Sequence, residues 1–373
     1  MFGVVKEERH ILVKFFGIKL RLNYPIDWTL ISNFNEHKVN ENTILIVEIN
    51  PTHKETITGL CHYLKELNYN FEILINSPSE NLFSIFSNVK VWEFKRNSLL
   101  KLLKIADFTK YERIIYNSKI IYQNVETTDL HEFLKKIPQG KKENIYLQHH
   151  IDRYFEYPND KQIILANPAK DERLEKSVVN AHYFGDVKIT PKNDITTFIT
   201  IGELSINRRN CDLLINSVKQ LVEQGIHNFK VEVVGNGSLE NLPKNIQQYF
   251  DIKGRLDFPQ MFEVIENADY FLPLLDSAVE AHKRYMQDGT SGTFQLVYGF
   301  LKPCLLHKTF AEIYGFTNED SIVYENNDEL VASMQKAINT SKEDYTNLQN
   351  KLKEKVEKIE QISLENLRGK LNE

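Results

Sequence analysis

A glycine-rich stretch that precedes an apolar helix has the residue types of an anion-binding site. It contains Gly289, Thr290, Ser291, Gly292 and Thr293. Backbone N–H groups at the beginning of a helix and the positive end of the helix dipole attract anions, and three hydroxyl groups add donors. An ordinary helix cap beside a flexible loop would use the same residue types. The stretch therefore predicts either an anion site or a simple cap.

Two adjacent arginines are a second feature suited to an anion. Arg208 and Arg209 come shortly after Gly202, which follows a strand-like apolar run. Guanidinium groups hold phosphate oxygens through paired, charge-assisted hydrogen bonds. The alternative is that the arginines begin a helix that faces solvent. We favour phosphate binding by at least one of them.

Two further glycine turns follow predicted strands. Gly235 and Gly237 end one strand, and Arg255 comes directly after Gly254. Glycine permits a positive φ and a close approach of the backbone to a ligand, although a plain turn explains these residues equally well. A dinucleotide-binding fingerprint would need a third glycine where Glu240 stands, which disfavours an oxidoreductase. Ligand contact by Arg255 is the less favoured of its two interpretations.

Two groups of side chains could act as acids or bases. His149 and His150 follow a strand, and a neutral imidazole can donate a hydrogen bond or accept a proton. Of this pair we favour His150. Thr52, His53 and Glu55 follow the first buried strand, where open α/β sheets bind ligands. His53 or Glu55 is a candidate base, but we favour a capping box formed by Thr52 and Glu55.

The sequence shows no pattern of metal ligands. It contains no D-x-D triplet, and its histidines and cysteines lack the spacing of ligand sets. The three cysteines, Cys61, Cys211 and Cys304, are far apart and odd in number. This disfavours a disulfide framework and suits a reducing compartment. We therefore expect no metal and no cofactor.

Charge and hydropathy exclude other classes of protein. The net charge is −5, so no basic field indicates a nucleic-acid partner. No apolar run approaches the roughly 20 residues of a membrane-spanning helix. Lys14, Lys19 and Arg21 interrupt the apolar N-terminal stretch, unlike a signal peptide. These features predict a cytoplasmic protein.

Two series of alternating strands and helices must position these residues. In the first series, the apolar runs Thr43–Ile49 and Phe71–Asn76 flank a segment with helical periodicity, which predicts a βαβ unit and a parallel sheet. The polar segment 185–196 separates this series from the second. We predict an α/β protein with two doubly wound domains, over residues 1–185 and 186–340, and a helical segment over 341–373.

Further elements are predicted from the same apolar patterns. An N-terminal hairpin spans residues 10–22. Other strands are predicted at Arg113–Ser118, Asn144–His150, Gln162–Ala166, Thr196–Leu204, Lys230–Gly237, Asp251–Gly254, Asp269–Leu275 and Lys302–His307. Helices are predicted around residues 214–222 and 261–265, over Phe294–Phe300, and from Asp328 onward.

Five segments between residues 198 and 324 follow the order of a known family. They are FITIGELSINRRN, VEVVGNGSL, IKGRLDFPQM, ADYFLPLL and GTSGTFQLVYGFLKP. They resemble the donor-binding domain of GT-B glycosyltransferases, closest to the retaining glycosyltransferase group 1, or family 4-like, set. The hairpin segment Phe16–Arg21 resembles the opening of enzymes of capsule, O-antigen or lipooligosaccharide assembly. The resemblance implies two Rossmann-like domains facing a central cleft.

The resemblance also implies an activity and partners. The protein would transfer a sugar from a nucleotide-diphosphate sugar to a bacterial surface glycan, free or linked to lipid. Gly202, Arg208, Arg209 and the 289–293 loop would bind the donor diphosphate, and His150 would face the donor sugar. No cofactor other than the donor substrate is implied.

The sequence departs from the family at one position that matters for chemistry. Family-4 enzymes usually carry two glutamates eight positions apart around this loop. The corresponding pairs here are Asp288 with Leu296, or Gln287 with Gln295. The departure leaves the retaining outcome and the family-4 assignment open. In that family the first glutamate contacts the donor sugar and the second contacts the ribose of the donor. Here the ribose contact falls to one of Gln295, Glu280 and His282, and we count Glu280 with His150 and His53 as candidate catalytic residues.

Several alternatives stay open at this stage. A non-catalytic relative that only binds a glycan or a partner would also lack the glutamate pair. Another nucleotide-sugar-using α/β enzyme, such as an epimerase or a dehydrogenase, is disfavoured by the incomplete glycine fingerprint. The N-terminal hairpin could hold the protein on the inner face of the membrane, but an edge hairpin packed on the first domain is slightly favoured. Its basic residues are Lys6, Arg9, Lys14, Lys19 and Arg21.

Overall fold

This computed structural model describes residues 2–6, 10–15, 18–23, 25–76, 78–118, 137–158, 160–237, 239 and 242–373, with side chains from residue 25 onward. Arg9, Phe16 and Gly17 of the predicted hairpin and Glu240 of the glycine turn lie outside the described residues. The charged side chains predicted to line the hairpin lie outside the described side chains as well.

Two compact units make up the chain. The first comprises Met1–Gln148, Tyr154–Ile163 and Leu367–Glu373, and the second comprises His149–Arg153 and Ile164–Asn366. These borders do not coincide with the limits predicted at residues 185 and 340. The chain enters the second unit before residue 185, and its last helix ends in the first, because packing rather than sequence order defines a unit.

The N-terminal strands form a small antiparallel sheet of their own. They are β1 (Phe2–Lys6), β2 (His10–Phe15) and β3 (Ile18–Asn23), in that order. The predicted hairpin corresponds to β2 and β3, with Phe15 opposite Ile18. The pairing of β1 with β2 was not predicted.

A six-stranded sheet forms the centre of the first unit. Its strands are β4 (Thr43–Glu48), β5 (Asn70–Asn76), β6 (Lys90–Phe94), β7 (Arg113–Tyr116), β8 (Ile145–Gln148) and β9 (Gln162–Ile164). The spatial order is β6-β5-β4-β7-β8-β9, and β4 to β8 are paired in parallel. Chain order reverses between β4 and β7, which is where doubly wound sheets bind ligands.

Helices surround this sheet and bury its central strand. They are α1 (Trp28–Glu36), α2 (Glu55–Glu66) and α3 (Arg96–Ile105). Every residue of β4 is buried, as expected for a parallel strand covered on both faces. The short helix α4 (Ile151–Glu156) follows β8. Neither β6 nor α3 was predicted.

The second unit contains a second parallel sheet. Its strands are β10 (Thr196–Ile201), β11 (Phe229–Val234), β12 (Phe250–Gly254) and β13 (Tyr270–Phe271), in the order β12-β11-β10-β13. A parallel pair, β14 (Leu305–His307) and β15 (Ile322–Tyr324), is linked to β13 by a bridge between Phe271 and Cys304. Alternate residues of β10 enter two different hydrophobic clusters, Ile199 one and Phe198 the other. Both faces of the sheet are therefore covered.

Among the described residues, seven α-helices follow β10 in the chain, and the last of them ends in the first unit. They are α5 (Cys211–Glu223), α6 (Phe258–Glu266), α7 (Arg284–Gln287), α8 (Gly292–Phe300), α9 (Lys308–Tyr314), α10 (Leu330–Asn339) and α11 (Lys342–Asn372). Of the segment Asp269–Leu275, predicted as one strand, only Tyr270 and Phe271 pair as a strand. Leu274 has a φ of 52°, which no strand accommodates. In the part of the chain that is described, no helix has the length and apolarity needed to span a bilayer.

Candidate functional site

Two glycine turns meet where β10 and β11 end. Gly202 has a φ of 129° and Gly235 a φ of 147°, which side chains rarely tolerate. The Gly202 N–H donates to the carbonyl of Val234 at 2.9 Å. A Cβ on Gly235 would overlap the carbonyl oxygen of Gly202. Packing between the two turns therefore explains Gly235, and its contact with a ligand stays a prediction.

Arg209 lies beneath the Gly202 turn as a buried cation. Its side chain donates to the carbonyl of Ile201 from Nη2 at 2.8 Å and to the Arg208 carbonyl from Nη1 at 2.7 Å. The residue is only 6% exposed, and no ion pair joins it to a carboxylate of the described residues. Burial lowers the pKa of the Arg209 guanidinium, but arginine keeps its charge in proteins. A buried charge without a counter-charge is costly, so this geometry suits a bound anion.

The beginning of α8 lies directly against this cation. Nη2 of Arg209 donates to Oγ1 of Thr293 at 2.6 Å, and the hydroxyl proton of Thr293 stays available to another acceptor. Ser291 is the N-cap, and its Oγ accepts from the Thr293 N–H at 3.4 Å. A Cβ on Gly292 would meet no atom within 4 Å. Thr290 is half-buried just before the cap. The buried cation and the N-terminal N–H groups of α8 thus meet at one residue.

Arg208 is the more accessible of the two arginines. Its side chain is 41% exposed, and Nη1 donates to the hydroxyl of Tyr285 at 3.2 Å. Tyr314 holds the same loop in place, because its hydroxyl donates to the carbonyls of Tyr285 at 2.5 Å and Gly289 at 3.2 Å. The sequence patterns did not indicate these tyrosines.

His150 and Asp288 form a hydrogen-bonded pair within the second unit. Nδ1 of His150 lies 2.6 Å from Oδ2 of Asp288, and Oδ1 of Asp288 accepts from the Asp152 N–H at 3.0 Å. Burial opposes ionisation of Asp288. The hydrogen bond from the Asp152 backbone and the neighbouring His150 outweigh it, so that the pKa of Asp288 is lowered. A Cβ on Gly289 would lie 3.0 Å from Nδ1 of His150 and 3.2 Å from the His149 carbonyl oxygen, so a larger residue there would press against this side chain.

His150, Asp152 and Asp288 lie close enough together to be considered as metal ligands. Ligand atoms of His150, Asp152 and Asp288 lie within 4.8 Å of one another. Both oxygens of Asp288 are already hydrogen-bonded, and Asp152 is largely exposed. The hydrogen bonds thus join His150 and Asp288 as a histidine–carboxylate pair, and the absence of a metal stays a prediction.

The residues considered for the ribose contact lie in three different environments. His282 is fully buried, and its Nδ1 accepts from the Asp276 N–H at 2.9 Å, while burial lowers its pKa. Glu280 is exposed and pairs with Lys283. Gln295 is 2% exposed, and neither of its amide atoms has a hydrogen-bond partner in the structure. Nε2 of His282 is also buried without a hydrogen-bond partner among the described residues. Unsatisfied buried polar atoms are unusual, and Gln295, which has two of them, is the strongest of the three for a polar ligand.

The remaining candidates occupy the ends of other strands. Arg255 is exposed after Gly254, whose φ is 66°. In the first unit, α2 begins at Glu55 with Lys54 as its N-cap and no side-chain cap. The capping box predicted for Thr52 and Glu55 is therefore wrong. The N-cap is Lys54 and not Thr52, because the chain turns at His53, whose φ is 69°.

A buried carboxyl group organises the loop that carries His53. Glu48, at the end of β4, accepts from the Asn50 N–H, from Nδ2 of Asn117 and from Oγ of Ser118, each at 2.7 Å. Nδ2 of Asn117 also donates to the His53 carbonyl at 2.8 Å. Burial raises the pKa of Glu48 to about 7. This network ties together the loops after β4 and β7, where the strand order reverses.

Comparisons with known proteins identify the fold. No family model matches the chain, and no curated protein matches it. HepE of Anabaena, solved in complex with UDP, is 12% identical with a TM-score of 0.50 over 86% of this chain and 97% of that one. A TarM variant of S. aureus, solved with fondaparinux, alpha-GlcNAc-glycerol and UDP, is 14% identical with a TM-score of 0.51 over 75% of this chain and 59% of that one.

A third likeness is weaker. The lipopolysaccharide outer core galactosyltransferase WaaB is 11% identical with a TM-score of 0.46, over 88% of this chain and 99% of that one. HepE and TarM reach a TM-score of 0.5, and the parallel pairing within both sheets agrees with the two doubly wound domains predicted from the sequence. The chain therefore has the α/β GT-B fold, with two Rossmann-like parallel sheets and C-terminal helices.

Proposed function

We propose that the protein is a glycosyltransferase that transfers a sugar from a nucleotide-diphosphate sugar. The observation that carries the proposal is Arg209, a buried guanidinium that has no carboxylate partner among the described residues and is bonded to Thr293 at the beginning of α8. A diphosphate supplies the missing negative charge and the acceptor oxygens for the N–H groups of the helix. Carboxylate or sulfate ligands satisfy the same charge, and the GT-B fold favours the nucleotide diphosphate among them.

The same residues support the transfer step. When the bond between the sugar and the diphosphate breaks, negative charge grows on the leaving diphosphate. Arg208, Arg209 and the first N–H groups of α8 stabilise that charge without a metal ion. His150 is the candidate for contact with a sugar hydroxyl, and the buried amide of Gln295 is the candidate for the ribose. We propose a bacterial surface glycan, free or lipid-linked, as the acceptor.

A calorimetric panel tests the proposal. UDP, GDP, CMP, ADP and inorganic pyrophosphate are titrated into the protein, with NAD as the comparison. We expect one nucleoside diphosphate to bind, and Arg208→Ala to weaken it about ten- to a hundredfold, because a hydrogen bond to a charged group contributes roughly 1.5–3 kcal/mol. Arg173→Ala is the matched control, since Arg173 is exposed and pairs with Asp171.

Other outcomes separate the alternatives. Binding of NAD in place of any nucleoside diphosphate would contradict the proposal. Once the nucleotide is known, the protein is incubated with the matching nucleotide sugars and glycan acceptors. Tight binding without release of the nucleoside diphosphate under any of these conditions would instead indicate a non-catalytic relative. Arg209→Ala is a poor first variant, because the arginine also satisfies two buried carbonyls.

A further inference from the structure

The geometry of the hydrogen bond between His150 and Asp288 shows which of the two side chains donates the proton. The lowered pKa of Asp288 means that its carboxylate is ionised at neutral pH, and an ionised carboxylate can only accept hydrogen bonds. The 2.6 Å contact between Oδ2 and Nδ1 of His150 therefore requires a proton on Nδ1. In the neutral imidazole, Nε2 then carries the lone pair.

Asp288 itself is held from several sides. Its backbone carbonyl accepts from the Ile151 N–H at 2.8 Å, its Oδ1 accepts from the Asp152 N–H, and its own N–H donates to the Arg284 carbonyl at 3.0 Å. An antiparallel bridge joins His150 to Gly289. The carboxylate therefore has little freedom to turn away from the ring.

The other ring nitrogen of His150 is the one that can serve a ligand. No described residue forms a hydrogen bond with Nε2, and the side chain is 22% exposed. A side chain whose tautomer is set by one carboxylate and whose second nitrogen stays accessible is suited to accept a hydrogen bond from a hydroxyl group.

We propose that Asp288 is a positioning residue that holds His150 in the Nδ1–H tautomer, so that Nε2 accepts a hydrogen bond from a sugar hydroxyl of the substrate. This inference rests on the proposed function for the identity of the ligand. The hydroxyl belongs either to the transferred sugar or to the acceptor, and both have the same chemistry. Asp288 acts through His150 and needs no contact with the substrate.

The tautomer is measured directly by NMR of protein labelled with ¹⁵N-histidine, with the His150 signals assigned from His150→Gln. In the wild type we expect a protonated Nδ1 and an unprotonated Nε2. Asp288→Asn should give the opposite tautomer or a mixture, because an amide can also donate to Nδ1. Asp152→Asn removes the same charge nearby and should leave the tautomer unchanged, since the Asp152 carboxylate accepts from the Arg153 N–H and pairs with the Arg153 side chain, and forms no hydrogen bond with Nδ1 of His150.

Binding and turnover separate this inference from the proposed function. Asp288→Asn should bind the free nucleoside diphosphate within about twofold of the wild type. It should lower kcat at least about tenfold, which is below the roughly 10²–10⁴-fold contribution of a positioned acid–base group because Asp288 acts only through His150. A change in the ¹⁵N chemical shift of Nε2 on addition of the nucleotide sugar, but not of the free nucleotide, identifies the donor sugar as the ligand. A shift only on addition of the glycan acceptor identifies the acceptor.

Three results would overturn the inference. The first is an Nε2–H tautomer in the wild type, and the second is an Nε2 signal that responds to neither substrate. The third is an equal loss of turnover in Asp152→Asn and Asp288→Asn together with inhibition by a chelator, which would make the cluster a metal site. If the wild type binds no nucleotide in the calorimetric panel, the result counts against the proposed function alone. The tautomer of His150 is measured without any nucleotide.

Discussion

Replacement of Gly292 by valine separates an anion site at α8 from a simple helix cap. Gly292 is the first residue of α8, its φ is not positive, and a Cβ there would meet no atom within 4 Å. Valine therefore fits the folded chain, and its effect on stability should stay within about 0.5 kcal/mol. The branched side chain would instead occupy the space that an anion needs in order to reach the N–H groups.

The expected loss of affinity is large by comparison. An anion excluded from the helix N-terminus loses at least about two hydrogen bonds to charged oxygens, each worth roughly 1.5–3 kcal/mol. The sum of about 3–6 kcal/mol corresponds to a weakening of about 10²- to 10⁴-fold in Kd. Titration calorimetry with the nucleoside diphosphate or pyrophosphate measures this change, and thermal unfolding checks the fold.

The control uses a glycine with the same free space. Gly369 lies in α11, and a Cβ there also meets no atom within 4 Å. Gly369→Val should bind the nucleotide as the wild type does. A folded Gly292→Val protein with full affinity for the nucleotide would refute the anion site, because a bound anion and the valine side chain cannot occupy the same space.

Three further predictions follow from the structure and the sequence. Treatment with EDTA should leave turnover within about twofold, because two arginines and a helix N-terminus carry the charge of the diphosphate; rescue by Mg²⁺ or Mn²⁺ after a full loss would contradict this. The buried Glu48 binds its proton more tightly in the folded state, so the free energy of unfolding of the wild type should fall by about 3 kcal/mol relative to Glu48→Gln as the pH rises from 4.5 to above 7. A difference between the two proteins in urea unfolding that does not change across that pH range would rule this out. Charge reversal at Lys14, Lys19 and Arg21 should weaken binding to anionic vesicles by about 1 kcal/mol per residue if the hairpin touches the membrane, and unchanged sedimentation with vesicles would exclude the hairpin as the contact.

Most of the strands and helices could be predicted from the pattern of apolar residues in the sequence. The buried strands β4, β5, β10 and β11 were predicted within a few residues, because a strand covered on both faces carries a run of apolar residues. The same rule misjudged the segment Asp269–Leu275. The segment is buried, but strand pairing stops at Phe271, and Pro273, which has no N–H, and the left-handed Leu274 prevent it from continuing. Hydrophobicity reports burial and not backbone conformation.

Residue type and order along the chain also identified the glycine loop, the two arginines and His150 as candidates. They could not assign the reasons for individual residues. Gly289 makes room for His150 and Gly235 makes room for Gly202, whereas a Cβ on Gly292 would meet no atom within 4 Å. Glycine removes a side chain, and the tertiary neighbours decide what uses the space.

Tertiary structure alone decided which charges are paired. The sequence places Arg208 and Arg209 side by side, yet one is half-exposed and the other is buried against Thr293, 84 residues away. His150 and Asp288, 138 residues apart, form a pair that no spacing rule predicts. Local patterns reflect the periodicity of single helices and strands, whereas the electrostatic environment of a side chain depends on residues that only folding brings within a few ångströms.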